Sequence, residues 1–300
     1  MYLYVDTLRH LLATSCSTTK THSLFVISIY PVVAVATFCA IIVPRAQMVA
    51  EAAIQVTVMS CLYQLFCLFV AYSGGESELI QKAMPNTLNL RVGPCCCWPC
   101  CICLPSIELT KIRVLLLRLL VLQLPIVQGF SYMVMLIMWS EQQTIYQVNN
   151  GYLQPLVVTS ILFGVWGLIM TLKVTSGFLK DYHLQGKFIV LQLVLVLTKI
   201  QGLFARMGIW AKIFPCKYPM TPALYSHMIY NIVILLEMVL LGWIARNLYK
   251  QNIPEIRSSK HPQYITQKLG TEEEKSKPDS ANDNNNTSVV VKSDSRDHII

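Results

Sequence analysis

The chain has 300 residues, of which 54% are hydrophobic and only 13% charged, and its formal net charge is +8. Soluble domains carry about 25% charged residues. Several apolar runs here approach the ~20 residues that cross a bilayer as a helix, so composition excludes a soluble globule. Nucleic-acid binding is excluded as the reason for the basic charge. Residues 251–300 hold 7 Lys/Arg against 8 Asp/Glu, so the excess lies around the apolar segments, where basic residues at helix ends set topology.

In chain order, residues 1–22 read as a cytoplasmic N-terminal segment. Six membrane spans are predicted over residues 23–43, 46–72, 114–139, 153–172, 188–209 and 223–245. Pro31 predicts a kink in the first, because proline lacks the N–H that the helix needs. Helices are expected rather than strands because backbone groups in lipid must bond within their own segment. The fold class is therefore all-α: a polytopic transmembrane helical bundle over residues 23–249. A Cys-rich cytoplasmic loop at 73–113 lies within it, and a disordered cytoplasmic tail follows at 250–300. With the N-terminus inside, Arg9, Lys20, Lys82, Arg91, Lys111, Arg113, Lys173, Lys180, Lys187, Arg246 and Lys250 all fall inside. Arg45, Lys212 and Lys217 fall outside. This bias predicts both termini on the cytoplasmic face.

The loop after the second span carries Cys95, Cys96, Cys97, Cys100, Cys101 and Cys103 within nine residues. Cys97-x-x-Cys100 has zinc-like spacing, but no separated second Cys or His pair lies near it. Thiol redox chemistry has no evident acid–base partner. S-acylation at the inner leaflet fits best, since each chain buries methylenes at about 0.8 kcal/mol apiece. An unmodified apolar turn is the plain alternative.

Ionisable residues inside spans are expensive and face a partner or a cavity. Glu51, Lys199, Arg206 and Glu237 are such residues here. Glu237 and Lys199 both lie deep, which suggests that they pair. Glu51 is within reach of Arg45 or of interfacial water, while Arg206 and Arg118 are expected to snorkel to an interface. A polar lining for an amphipathic solute is assigned to Glu51, Gln192, Lys199, Gln201 and Glu237. Interhelical glue is the structural alternative. No Walker A, His-Glu-x-x-His or Gly-x-Ser-x-Gly sequence occurs, and the six histidines are scattered. Neither an enzyme nor a cofactor nor a metal site is expected.

The run Gly93-Pro94-Cys95-Cys96-Cys97-x-Pro99-Cys100-Cys101 resembles the cysteine-rich loop of the organic solute transporter alpha family. Pro44-Arg45 with Glu51 following, Lys187-Phe188-x3-Gln192, Leu197-Thr198-x2-Gln201 and Glu237 after Ile234-Leu235-Leu236 resemble further family stretches in the same order. The likeness runs from Tyr2 to Lys250. It implies a seven-helix, plasma-membrane, facilitative carrier of bile acids, steroid conjugates and similar organic anions, acting with a single-span beta subunit. Six spans are visible here, so the chain is expected to begin just after the family's first helix. A non-transporting membrane receptor or trafficking scaffold of the same domain family is the alternative.

Overall fold

Each of the six predicted spans is a helix long and apolar enough to cross a membrane: Thr19–Ile42, Pro44–Ser73, Lys111–Glu141, Gly151–Ser176, Leu184–Trp210 and Pro222–Lys250. The computed structural model describes residues 2–14, 17–83, 87–89, 106–141, 143–179, 183–211 and 221–250. All of these lie in Met1–Ile256, one of the two units into which the chain divides. The other unit, Arg257–Ile300, lies outside the described residues, as do the six cysteines at 95–103.

The helices are α1 (Tyr2–Thr14), α2 (Ser17–Ile27), α3 (Ile29–Ile42), α4 (Gln47–Ser73), α5 (Glu76–Ala83), α6 (Lys111–Glu141), α7 (Gln143–Ser176), α8 (Leu184–Trp210) and α9 (Pro222–Lys250). The first span is α2 and α3 together, broken at Ser28. The break falls one turn before Pro31, where the missing N–H leaves the Ile27 carbonyl without its helical donor. A short antiparallel pair, β1 (Thr87–Asn89) and β2 (Ser106–Glu108), adds to the helical bundle. It brings together the two ends of the cysteine-bearing loop.

Helix α4 sits at the centre and packs on α2, α3, α6, α7 and α8. Its sequence is apolar on every side, as a helix surrounded by others must be. Val58, Met59, Cys61, Leu62, Leu65, Leu68 and Phe69 are fully buried along it. It ends at Gly74, whose φ of 95° only glycine adopts at no steric cost. The Gly74 and Gly75 N–H groups turn back onto the Ala71 and Val70 carbonyls. The bundle thus has two ends, one at Pro44 and one at Gly74.

Helices α6 and α7 form an antiparallel hairpin in which the Leu124 and Leu120 side chains pack directly onto Gly164 and Gly167. A Cβ added at Gly164 would stand 2.3–2.6 Å from the Leu124 side chain, and one at Gly167 would stand 2.9 Å from Leu120. Small residues at such crossings are what membrane helices use to pack. Leu124 is buried and has nowhere to move. Gly164→Ala is therefore expected to cost about 1–3 kcal/mol, the usual range for overpacking. Leu124→Ala in the same chain should recover part of that loss. A Gly164→Ala protein that melts with the parent would refute the close approach.

The N-terminal segment is not a free lead-in. Helix α1 packs on α9, and its Asp6 carboxylate accepts from Arg246 Nε at 2.8 Å and Lys250 Nζ at 2.6 Å. These bonds, Lys250 first and Arg246 second, hold the Asp6 carboxyl below its ordinary 3.8. A depressed pKa stabilises docking above the unfolded pKa, and the gain is lost as pH falls through the folded value. The protection factor of the α1 amides, their exchange taken relative to the intrinsic rate at each pH, should therefore fall as pH is lowered below about 4, the free aspartate range. In Asp6→Asn that acid-dependent step should vanish; if it persists, another group is responsible.

Candidate functional site

At the Pro44 end of α4 a cavity of about 890 Å³ lies among α4, α6, α8 and α9. Pro44, Arg45, Gln47, Met48 and Glu51 form its α4 side. Trp139 closes it from α6. Gly202, Ala205, Arg206 and Ile209 face it from α8, and Ala223, Leu224, His227 and Tyr230 from α9. The wall is mixed: Trp139, Ile209 and Leu224 are apolar, while Arg45, Glu51, Arg206 and His227 are polar.

Arg206 Nη2 stands 3.8 Å from Glu51 Oε1, so the Arg206 head is held by an ion pair rather than simply reaching for an interface. The pair is uneven, with the Arg206 side chain 53% exposed and that of Glu51 24%. An exposed pair of this length contributes about 0–1 kcal/mol. It thus positions a guanidinium in the cavity more than it braces the helices. Arg45, at the cavity rim, is exposed. Among the described lining residues, two arginines stand against one carboxylate, a net positive charge.

Deeper between α8 and α9, Gln201 donates its amide to Glu237 Oε1. Glu237 therefore meets Gln201 and not Lys199. The other carboxylate oxygen, Glu237 Oε2, is buried with no hydrogen-bond partner, as are Gln201 Oε1 and Gln192 Oε1. Nearby, Asn231 Nδ2 donates to Gln47 Oε1 at 2.7 Å, and Tyr230 OH lies 3.4 Å from the Thr198 carbonyl. Of the five residues assigned from sequence, Glu51 lines the large cavity. Gln201 lines a smaller crevice of about 220 Å³ between α8 and α9, which shares Ala205 and Tyr230 with the large one. Lys199 lies within range of the Glu51 charge, and Gln192 lines neither space. Sequence reasoning passed over Trp139 and Tyr230 as lining residues. Trp139 carried a signal, its position at a span end where aromatic residues gather; Tyr230, two turns inside α9, carried none.

At the Gly74 end the packing is tight around Lys187, which is 2% exposed. Its Nζ donates to Tyr72 OH at 3.0 Å and lies 4.7 and 4.8 Å from the centroids of Tyr72 and Tyr249. Among the described residues no carboxylate forms an ion pair with it. Arg118 also does more than snorkel: it bonds Tyr63 OH at 3.4 Å and Glu76 at 3.2 Å. These contacts tie α4, α5 and α6 together at that end. Among the described residues no group of three or more His, Cys, Asp or Glu side chains is placed to hold a metal ion.

Six membrane-length helices, with α4 buried among the other five and a charged chamber at one end, define a polytopic integral membrane protein. Its residues 2–253 match the family model described as "Organic solute transporter Ostalpha", and the chain belongs to that family of solute transporters. It is similar to the "Organic solute transporter alpha-like protein" of Drosophila melanogaster, 29% identical over 228 residues, covering 76% of this chain and 69% of that one. It is also similar to the "Organic solute transporter subunit alpha" of Leucoraja erinaceus, 23% identical over 227 residues, covering 73% of this chain and 63% of that one. The chain thus spans rather less than two thirds of the latter relative. No solved structure matches it.

Proposed function

We propose that this chain is a facilitative carrier of amphipathic organic anions, of the bile-acid or steroid-conjugate kind, and that it works with a single-span beta subunit. The observation that carries the reading is the cavity of about 890 Å³ at the Pro44 end. It falls within the 300–1,000 Å³ typical of ligand sites. Its arginines suit an anionic head, and Trp139, Ile209 and Leu224 suit an apolar body. Family membership and the names of the two relatives support transport; the beta subunit rests on the family resemblance.

The Pro44 end is the outer one in this proposal, and both termini are cytoplasmic at the plasma membrane. The support is charge: Lys20, Lys82, Lys111, Arg113, Lys173 and Arg246 stand toward the Gly74 end, against Arg45 and Arg206 at the other. The thiols at Cys95, Cys96, Cys97, Cys100, Cys101 and Cys103 then face the inner leaflet as S-acylation sites. Labelling of that loop on intact cells by an impermeant thiol reagent would overturn this orientation.

Uptake of a labelled steroid sulfate into vesicles, with and without a co-expressed beta subunit, tests the carrier reading. Saturable flux in either direction, dependent on this chain, is expected. Normal membrane delivery with no flux under either condition would favour a receptor or scaffold instead.

A further inference from the structure

The α4–α6–α7 seam carries polar side chains that neither the cavity nor the ion pairs use. Ala52 of α4, Tyr132 and Met135 of α6 and Val157 of α7 form one small buried cluster. Residues three or four apart share a helix face. One turn further into the bundle, the same faces carry Gln55, Gln128, Ser131 and Ser160. The close approach of Gly164 to Leu124 fixes the same register independently. Gln128 is four residues beyond Leu124 and Ser160 four before Gly164, on antiparallel helices.

All four side chains are buried, at 3%, 1%, 0% and 8% exposure. Among the described residues, Gln55 Oε1, Gln128 Nε2, Ser131 Oγ and Ser160 Oγ have no hydrogen-bond partner. The two serines are unlike the other buried hydroxyls of these helices. Ser73, Thr171, Thr175 and Thr198 each donate to the carbonyl four residues back, which satisfies a hydroxyl inside a helix. Ser131 and Ser160 leave that acceptor alone. Together the four atoms offer an amide acceptor, an amide donor and two hydroxyls that do both, with no charge. A buried polar atom left unmade carries a full desolvation penalty. Lipid supplies no partner for it.

We propose that this seam is a hydration site, holding about one or two ordered water molecules that each take roughly three hydrogen bonds. Water fits better than an ion because the cluster is neutral and mixes donors with acceptors. The site is separate from the chamber at the Pro44 end and does not depend on the transport reading. It places a small polar island between α4 and the α6–α7 hairpin.

Radiolytic hydroxyl-radical footprinting of the full chain in lipid nanodiscs tests this, because bound water yields radicals beside the nearest side chain. Met135 and Met170 are matched reporters, 2% and 3% exposed. Met135, one turn from the proposed water, should oxidise several-fold faster than Met170, which lies ten residues beyond Ser160 on α7. In the double variant Gln128→Leu/Ser131→Ala that excess should disappear while Met170 is unchanged. Equal, slow oxidation of Met135 and Met170 in the parent protein overturns the proposal, whether or not the variant folds. An excess that persists in the folded variant also overturns it, since water would then reach Met135 by another route.

Discussion

Lys187→Glu is expected to eliminate folded protein, while Lys187→Met leaves it nearly intact. The ammonium is 2% exposed and sits between the rings of Tyr72 and Tyr249. Ring faces are electronegative, so they attract a cation by about 2 kcal/mol when desolvated and repel an anion. A carboxylate there would be buried and repelled by the ring faces, with only the Tyr72 and Tyr249 hydroxyls near it, at a cost of several kcal/mol. Domain stabilities are about 5–15 kcal/mol, so little margin remains. Methionine keeps the volume of the stem and removes the burial of charge, which offsets the lost ring contacts to within about 1–2 kcal/mol. The yield of monodisperse protein from detergent and its melting midpoint measure both variants. A Lys187→Glu protein that is monodisperse and melts with the parent would mean that the lysine is not enclosed as described.

Arg206→Gln is expected to lower uptake of an anionic solute by about tenfold or more, with surface expression unchanged. A hydrogen bond to a charged group contributes about 1.5–3 kcal/mol, and 1.4 kcal/mol is a factor of ten. Stability should hardly move, because the Arg206–Glu51 pair is half exposed and 3.8 Å long. The substitution leaves Glu51 uncompensated in the chamber, so Arg206→Gln/Glu51→Gln should recover part of the lost uptake. Uptake of an uncharged solute of similar size is the control. If anionic and neutral solutes decline alike, Arg206 shapes the chamber rather than reading charge.

The helical bundle was legible because the bilayer demands it. A run of about twenty apolar residues has no stable alternative in lipid, so six spans could be placed from the sequence to within a few residues of the observed helices. Partners within the bundle were less legible. Lys199 and Gln201 are two residues apart on α8 and so face different ways. Local sequence does not choose between them as the partner of Glu237; the α8–α9 packing places Gln201 there. Glu51 and Arg206 are both readable as intramembrane charges, but their pairing needs α4 and α8 to end at the same level.

Two further assignments turned on packing alone. In the sequence, Lys187 is one more basic residue on the positive side of a span. It is enclosed because Tyr72 and Tyr249, at the ends of α4 and α9, close over it. Residues 1–22 read from the sequence as a cytoplasmic N-terminal segment, and the packing docks α1 on α9, where Asp6 meets Arg246 and Lys250. By itself the sequence determined the solvent around the chain, the number of apolar helices in view and the family, since these follow from local hydropathy and short motifs. The tertiary structure decided which charges are paired, which are buried and which line a chamber, because those depend on how far each helix is rotated and slid against its neighbours.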